Sequence, residues 1–418
     1  MGGTTAKICL IDDYKPKTSR VFEVARTYRF KKGSGIPISI PVIDMVEIGA
    51  GGGSLANVDS LNQIRVGPKS AGSDPGPACF NKGGKKVTVT DADLLLGKLD
   101  PKNFAGGSIE LNPSVSKTVA EKDIGQNLKM GSNEAAWGIS EVVDENMANA
   151  ARVHAIENGQ DLSDYTMVAF GGAAPLHASR LCEKIGINRC IIPKGAGVGS
   201  AIGFLKAPYS FEASRSIFMR LSQFDADLAE KIFVDMEREA SNFVRSCDEN
   251  SQLTSNFKVN MRYSGQGWEI TICFFQKEIR TPSKKVFQKK FEHEYKKLFG
   301  RAVLGMQIEI VVWAVNTFTK LPKIKKEPEL TEIKRVSNKS NCTFFDTGLG
   351  KTVKATKISR SEINKKSWLN GPAIISEQET ATIISSNFSV VVREDECLDI
   401  RLNLQENNFS NFSQSKRG

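Results

Sequence analysis

A turn of two glycines and two threonines, Gly2-Gly3-Thr4-Thr5, runs straight into the apolar strand Ile8-Cys9-Leu10-Ile11 and restricts the fold more tightly than any other stretch. Paired glycines let backbone N–H groups approach an anion with no side chain between, two hydroxyls add donors, and Lys7 can add positive charge. The pattern reads as a phosphate-holding turn, with an ordinary hairpin turn as its alternative. Such a turn wants a strand on both sides, and only the following strand is present. Met1 is therefore expected to be an internal methionine of a longer protein.

Asp12-Asp13 with Lys15-Pro16 makes a turn, and Val21 to Arg26 is expected to return as a strand, so that residues 7–28 form a hairpin. Beyond the basic loop Lys31-Lys32-Gly33-Ser34-Gly35, the strand Pro41 to Ile48 enters Gly49-Ala50-Gly51-Gly52-Gly53-Ser54. Four glycines in five residues weaken any regular element. Gly51, Gly52 and Gly53 are thus candidates for close approach to a ligand or to another backbone. Val66 to Cys79, broken by Gly and Pro, reads as an ordered loop lining a cleft. Thr88-Val89-Thr90-Asp91-Ala92-Asp93 opens a short helix capped by Thr90 or Asp91. Asp91 is a candidate for the cleft as well as for the cap.

The spacing of Ile139, Val142, Val143, Met147, Ala150, Val153 and Ile156 predicts a helix over 134–158, capped by Ser132 or Asn133 and stopped by Gly159. Its Asp144-Glu145-Asn146 face is either solvated or turned to a cleft. His154 reads as a packed core histidine. A βαβ unit follows: strand 165–170, Gly171-Gly172-Ala173-Ala174, a helix from Pro175 to Ile185 stopped by Gly186, and strand 190–192. Backbone N–H groups and the helix dipole at such a turn favour a nucleotide, and His177 in the first helical turn can reach the same cleft.

Glycine thins out from about residue 206. A charged amphipathic helix over 225–247, the strand 257–263, the Ser264-Gly265-Gln266-Gly267-Trp268 hairpin, a helix over 284–299 and a strand over 308–315 make up this region. Lys320 to Lys339 is the linker candidate, 342–402 alternates short strands and turns, and the polar tail 405–418 is expected to be disordered.

With 418 residues, 40% of them hydrophobic, the chain can bury two or three cores. No apolar run is long enough to span a membrane and no secretory leader opens the chain, so a cytoplasmic location is the default. The net charge of +10 is spread over short lysine clusters, which argues against a nucleic-acid partner. Eight cysteines without a C-x-x-C pair and three unpaired histidines argue against a metal site made by this chain alone.

Several motifs in order, MGGTTAK (1–7), FEVARTYRFKKGSGIP (22–37), EIGAGGGS (47–54), VGPKSAGSDPGPAC (66–79), TVTDADLLLG (88–97), VAFGGAAPLH (168–177), RYSGQGWEI (262–270) and GPAIISEQET (371–380), resemble the hydantoinase A/5-oxoprolinase family, specifically its N-methylhydantoinase A-like subunit. The resemblance covers residues 1 to about 402. It implies an α/β, actin-like ATPase fold of the sugar kinase/Hsp70 type, here its C-terminal part. In that fold a strand ending in Asp precedes the glycine turn and helps to hold magnesium; that strand and an earlier phosphate loop would precede Met1. The implied organisation is an ATPase core over 1–205, an α+β region over 206–325, a small β-rich domain over 340–402 and a tail over 403–418.

The implied activity is ATP-dependent ring opening of a cyclic amide, 5-oxoproline or a hydantoin, in a hetero-oligomer with a hydantoinase B-type subunit, using ATP and Mg2+. Gly2, Gly3, Thr4, Thr5 and Lys7 would hold phosphates, and Gly171, Gly172 and Ala173 would face the nucleoside. Relatives that carboxylate acetone or acetophenone make a nucleotide-binding carboxylase subunit the alternative. A fragment that only binds the partner subunit is a third possibility.

Overall fold

A computed structural model describes residues 1–25, 33–303, 305–320, 333–336 and 340–403 of this mixed α/β chain. Two compact units emerge: Met1–Gly203 together with Glu327–Gly418, and Phe204–Lys326. The linker candidate, apart from Lys320 and 333–336, lies outside the described residues, as do the tail and residues 26–32 of the second motif.

In the first unit, Ala6–Cys9 pairs antiparallel with Met45–Ile48, placing Ala6 opposite Ile48, while Thr18–Val24 pairs with Ile36–Ile43. This corrects the expected 7–28 hairpin. Asp13 and Tyr14 both take positive φ, so a two-residue turn closes a short ladder between Ile11–Asp12 and Lys15–Pro16, and the chain reverses there. The first strand then finds its partner in Met45–Ile48, where Ala6 and Ile48 are both buried in the core.

Helix α1 (Val89–Leu95) starts at Thr88, whose hydroxyl accepts from the Asp91 N–H in a capping box. The cap thus sits before both expected positions. Helix α2 (Pro113–Ala120) is capped by Asn112. Helix α3 (Ser132–Glu157) begins one residue past Gly131, whose N–H donates to the Glu134 carboxylate at 2.9 Å, so neither Ser132 nor Asn133 is the cap. Ala135, Ile139, Val143, Met147 and Ala150 bury one stripe of α3; beyond them the stripe passes to Ala151, His154 and Ala155, leaving Ile156 75% exposed.

Met167–Val168 and Arg189–Ile192 pair in parallel across helix α4 (Ala174–Ile185), which Gly186 ends at φ 76°. Bidentate contacts of Arg180 with Glu141 at 2.9 Å tie α4 to α3, and Lys184 reaches Glu141 and Glu145. Residues 340–402, expected as a separate small domain, are β-rich but continuous with this unit. Leu398–Leu402 pairs antiparallel with Arg189–Ile192, extending the sheet through Phe388–Val392, Ser367–Asn370 and Lys334–Arg335. Alternating apolar side chains of these strands share one core with Cys182, Ile187 and Ile192. A second sheet, in the order 340–346, 351–359, 373–376, 381–384, completes the unit.

The second unit is a sheet in the order 210–215, 308–319, 253–263, 270–274. Helix α5 (Ala226–Cys247), capped by Asp225, and helix α6 (Lys284–Phe299), capped by Ser283 and ended by Gly300, both contribute to its core. That core is aromatic: Phe233 lies edge-on to Phe257 and Trp313, and the Trp313 indole donates to the Ile217 carbonyl at 2.8 Å. Phe233→Ala should cost roughly 3–5 kcal/mol of stability, read as a lower urea midpoint for the full chain.

Candidate functional site

The three glycine segments singled out in the sequence converge within the first unit. The Gly2 carbonyl accepts from the Gly52 N–H at 2.9 Å and the Gly3 carbonyl from the Gly53 N–H at 2.7 Å. Gly52 in turn accepts from the Thr90 N–H and hydroxyl at 2.7 and 2.8 Å, which fixes the loop on the start of α1. A Cβ on Gly51 would stand 2.5 Å from the Gly3 and Thr4 backbone, so only glycine permits this approach. Gly51, Gly52 and Gly53 are fully packed and back the Gly2–Thr5 turn; they do not line open space.

The other side of the turn meets the βαβ unit. Met1 offers its carbonyl to the N–H groups of Ala173 and Ala174, both at 3.2 Å, at the start of α4. Gly171, at φ 103°, passes so close that a Cβ there would fall 2.2 Å from the Met1 oxygen. Met1 thus takes the N–H of Ala173, one of the three residues expected to face a nucleoside. Gly172 stays exposed, and its carbonyl accepts from the Thr380 hydroxyl at 2.9 Å, bringing the GPAIISEQET motif to the same place. Neighbouring Glu379 packs on Gly197, where a Cβ would meet its side chain at 2.4 Å.

Above this backbone lock, Gly2 and Gly3 have nothing within 4 Å of an added Cβ, and Thr4 is exposed. The turn therefore has open space on the side where Gly2 and Gly3 lack a Cβ, is closed internally by the Gly2 N–H on the Thr5 carbonyl at 3.1 Å, and is bonded to protein on its other side. Lys7 pairs at 3.8 Å with Glu47, its directly opposite neighbour on the partner strand, both side chains about half exposed.

Asp91 belongs to the scaffold. Its carboxylate accepts from the N–H groups of Ala78, Cys79 and Thr88 and from the hydroxyls of Thr88 and Ser116, at 2.7–3.2 Å, and the residue is fully buried. These bonds fasten the Gly/Pro-rich loop to α1 and α2 and leave the carboxylate no face toward a cleft, which corrects its candidacy there.

His177 is buried at the heart of a charged chain that spans α1, α3 and α4. Its Nδ1 lies 2.8 Å from Asp144 and its Nε2 3.2 Å from Asp93, whose second oxygen accepts from Lys98 at 3.0 Å; Lys98 also donates to Ser140 at 2.9 Å. All of these groups are buried. The two imidazole contacts are close but not aligned as hydrogen bonds, so they act as ion pairs. Burial favours the neutral ring, yet Asp93 and Asp144 outweigh it and raise His177 to about 9. Burial likewise favours neutral Asp93, but Lys98 and His177 outweigh it and hold that carboxyl at about 2. His177 is thus an imidazolium behind the glycine turns and has no opening to a ligand. Asp93, Lys98 and Ser140 escaped the sequence reading; the signal available was a lysine directly after the TVTDADLLLG motif, three residues past the end of α1.

Among the described residues no group of three or more His, Cys, Asp or Glu is placed to hold a metal ion. No helix among them is long and apolar enough to cross a membrane.

Residues 1–213 match the Hydantoinase/oxoprolinase family model and residues 221–402 its C-terminal domain model. The chain is 33% identical to the uncharacterized protein MJ0964 of Methanocaldococcus jannaschii, over 96% of this chain and 57% of that protein. It is 30% identical to caprolactamase subunit alpha of Pseudomonas jessenii, over 77% of this chain and 46% of the subunit. With the acetophenone carboxylase gamma subunit of Aromatoleum aromaticum it shares 31% identity, over 78% of this chain and 45% of that one. The chain spans about half the length of these relatives. A nucleotide-free acetone carboxylase structure has the same fold, with a TM-score of 0.80 at 22% identity, covering 96% of this chain and 57% of that one.

Two outcomes test the arrangement. Gly171→Ala should lower the melting temperature, because a Cβ must displace the Met1 carbonyl from the start of α4. The raised His177 value means that its stabilisation is complete below about 6.5 and is lost as pH rises through about 9. Urea midpoints of the wild type should therefore fall between pH 6.5 and 10 by more than those of His177→Gln, which should itself be destabilised by roughly 3–5 kcal/mol at neutral pH.

Proposed function

Because the chain belongs to the hydantoinase/oxoprolinase family, we propose that it forms the nucleotide-binding side of an enzyme that spends ATP to open a cyclic amide. The observation that carries this reading is the Gly2–Thr5 turn, locked from behind by Gly52, Gly53 and α4 and open in front. The Gly2 N–H closes the turn on the Thr5 carbonyl at 3.1 Å, and a turn held in shape this way needs no reorganisation of its remaining N–H groups to meet a phosphate. The pairing of this turn with the Gly171–Ala173 turn of the βαβ unit supports an actin-like ATPase fold, with Gly172 on the nucleoside side.

The chemistry follows from the substrate. An amide carbonyl is a poor electrophile, and transfer of a phosphoryl group to its oxygen makes the ring carbon attackable by water. Gly2, Gly3, Thr4 and Thr5 would position the phosphates. Mg2+ would enter with the nucleotide, coordinated by phosphate oxygens and water, as this ion commonly is. A hydantoinase B-type subunit is the proposed partner in a hetero-oligomer, since the relatives include a caprolactamase subunit alpha and a carboxylase gamma subunit.

The similarity to the acetophenone carboxylase gamma subunit supports a second reading, in which the same turn serves a ketone carboxylase. ATP consumption by the complete assembly separates the two: stimulation by 5-oxoproline or a hydantoin supports the amidohydrolase, and stimulation by bicarbonate with a ketone supports the carboxylase. Neither response would defeat both. Gly3→Val tests the turn itself. Because a Cβ there meets nothing within 4 Å, the variant should keep the wild-type melting temperature yet bind ATP at least about tenfold more weakly by calorimetry, about 1.4 kcal/mol. Unchanged ATP affinity would remove the turn from the site.

A further inference from the structure

A trans peptide unit points its C=O and its N–H in opposite directions, and the Gly2–Thr5 turn is held from behind by its carbonyls. Gly2 gives its carbonyl to the Gly52 N–H at 2.9 Å, so the Gly3 N–H of the same trans unit is turned to the opposite side. Gly3 gives its carbonyl to the Gly53 N–H at 2.7 Å, so the Thr4 N–H is turned away likewise. The Gly2 N–H is spent on the Thr5 carbonyl at 3.1 Å, whereas those of Gly3 and Thr4 donate to no protein group among the described residues. Successive free N–H groups of this kind are the donors of an anion-binding turn.

The Thr4 donor is tied to a residue far from it in the chain. The bond on the Gly3 carbonyl comes from the peptide unit shared by Gly52 and Gly53, and the carbonyl of that unit accepts twice from Thr90, from its N–H at 2.7 Å and its hydroxyl at 2.8 Å. Thr90, the Gly52–Gly53 unit and the Gly3–Thr4 unit thus form one line of hydrogen bonds that ends at an N–H in the open. Bonds in such a line polarise one another, since a carbonyl that accepts makes the N–H of its own unit a better donor, and the gain is larger away from water. Thr90 is only 8% exposed, and Gly52 and Gly53 are buried. The line is also held at contact, because a Cβ on Gly52 would stand 2.7 Å from the Thr90 hydroxyl oxygen. The Ser70 hydroxyl occupies a parallel line. It donates to the Gly53 carbonyl at 3.2 Å, and that unit passes through the Ser54 N–H to Gly51 and through the Gly52 N–H to Gly2, ending at Gly3 and not at Thr4.

We propose that Thr90 is a positioning residue for the phosphate turn: without touching a phosphate, it orients and polarises through the Gly52–Gly53 unit the Thr4 N–H that receives one. The inference rests on the phosphate-turn reading above. In the full chain labelled with 15N-threonine, the Thr4 amide is identified by its loss in Thr4→Ser. Thr90→Val keeps the side-chain shape and removes the hydroxyl; it should move the Thr4 amide proton upfield in the unliganded chain and weaken ATP binding about threefold by calorimetry. Thr90→Ser keeps the hydroxyl and should hold both at the wild-type values. Ser70→Ala removes a partly buried hydroxyl from the parallel line and should leave the Thr4 resonance in place. A Thr4 shift in Ser70→Ala as large as in Thr90→Val would mean general loosening and overturns the relay. An unmoved Thr4 resonance in Thr90→Val, or wild-type ATP affinity in that variant, overturns it as well. Failure of the two readings is distinguishable. Unchanged ATP affinity in Gly3→Val removes the phosphate turn and the role of Thr90 with it, whereas weakened binding in Gly3→Val beside an unmoved Thr4 resonance in Thr90→Val removes only the role of Thr90.

Discussion

The first unit depends on backbone meeting backbone. Between Gly2–Gly3 and Gly52–Gly53 the chain makes two N–H to carbonyl bonds of 2.9 and 2.7 Å at a separation that no Cβ on Gly51 would survive. Met1 repeats the device on α4 through Ala173 and Ala174. Each of these contacts satisfies polar groups that would otherwise be buried unpaired, which is expensive. Together they turn three glycine-rich loops, individually the most mobile kind of backbone, into one fixed surface. The conformational entropy of glycine is lost on folding, and the bonds made by the lock offset it.

Behind that surface lies the opposite design. Lys98, Asp93, His177 and Asp144 carry charge in a region without water, where each ion loses several kcal/mol of hydration and recovers it only from its neighbours. The chain alternates sign along its length, so every charge has a partner of the other sign within 2.8–3.2 Å. It draws one member from α4, one from α3, and the remaining pair from α1 and the residues just after it. Movement of any one helix would strand a charge. The network therefore specifies how the helices that carry the glycine turns stand relative to one another, a role for which apolar packing alone is less selective. Burial at both ring nitrogens also means that His177 acts here by fixed charge, since a proton has no route from it to a ligand.

Much of this was legible in the residues. The long helix, α5 and α6 follow from the spacing of their residues and the βαβ unit from its glycine turn and Gly186 stop, and the glycine turns were found because glycine in clusters has few purposes. Pairing was less legible. The partner of strand 6–9 is set by a two-residue turn at Asp13-Tyr14 that forces an early reversal, and the local order of strands gave no sign of it. The C-terminal strands read as a separate domain because sequence distance hides a sheet shared with residues 189–192. Asp91 and His177 illustrate a further limit. Both are polar residues beside glycine turns, which is the pattern of a ligand, yet their partners come from segments up to 84 residues away and convert them into scaffold. Whether a carboxylate serves a ligand or a helix depends on donors that only the fold brings together.

The composition shift near residue 206 carries the same logic into the second unit. Where the first unit uses glycine to bring backbone against backbone, the second has few glycines and an aromatic core of Phe233, Phe257, Phe287, Phe291 and Trp313. The exception is Ser264-Gly265-Gln266-Gly267-Trp268, where Gly265 takes φ 82° and opens a turn between two strands. The turn is tied down at its strand end and at its tip: Arg262 donates to buried Glu309 and Gln266 to the Tyr295 hydroxyl. Because those bonds come from strand and helix alike, the hairpin is fixed in shape although its two glycines alone would leave it loose.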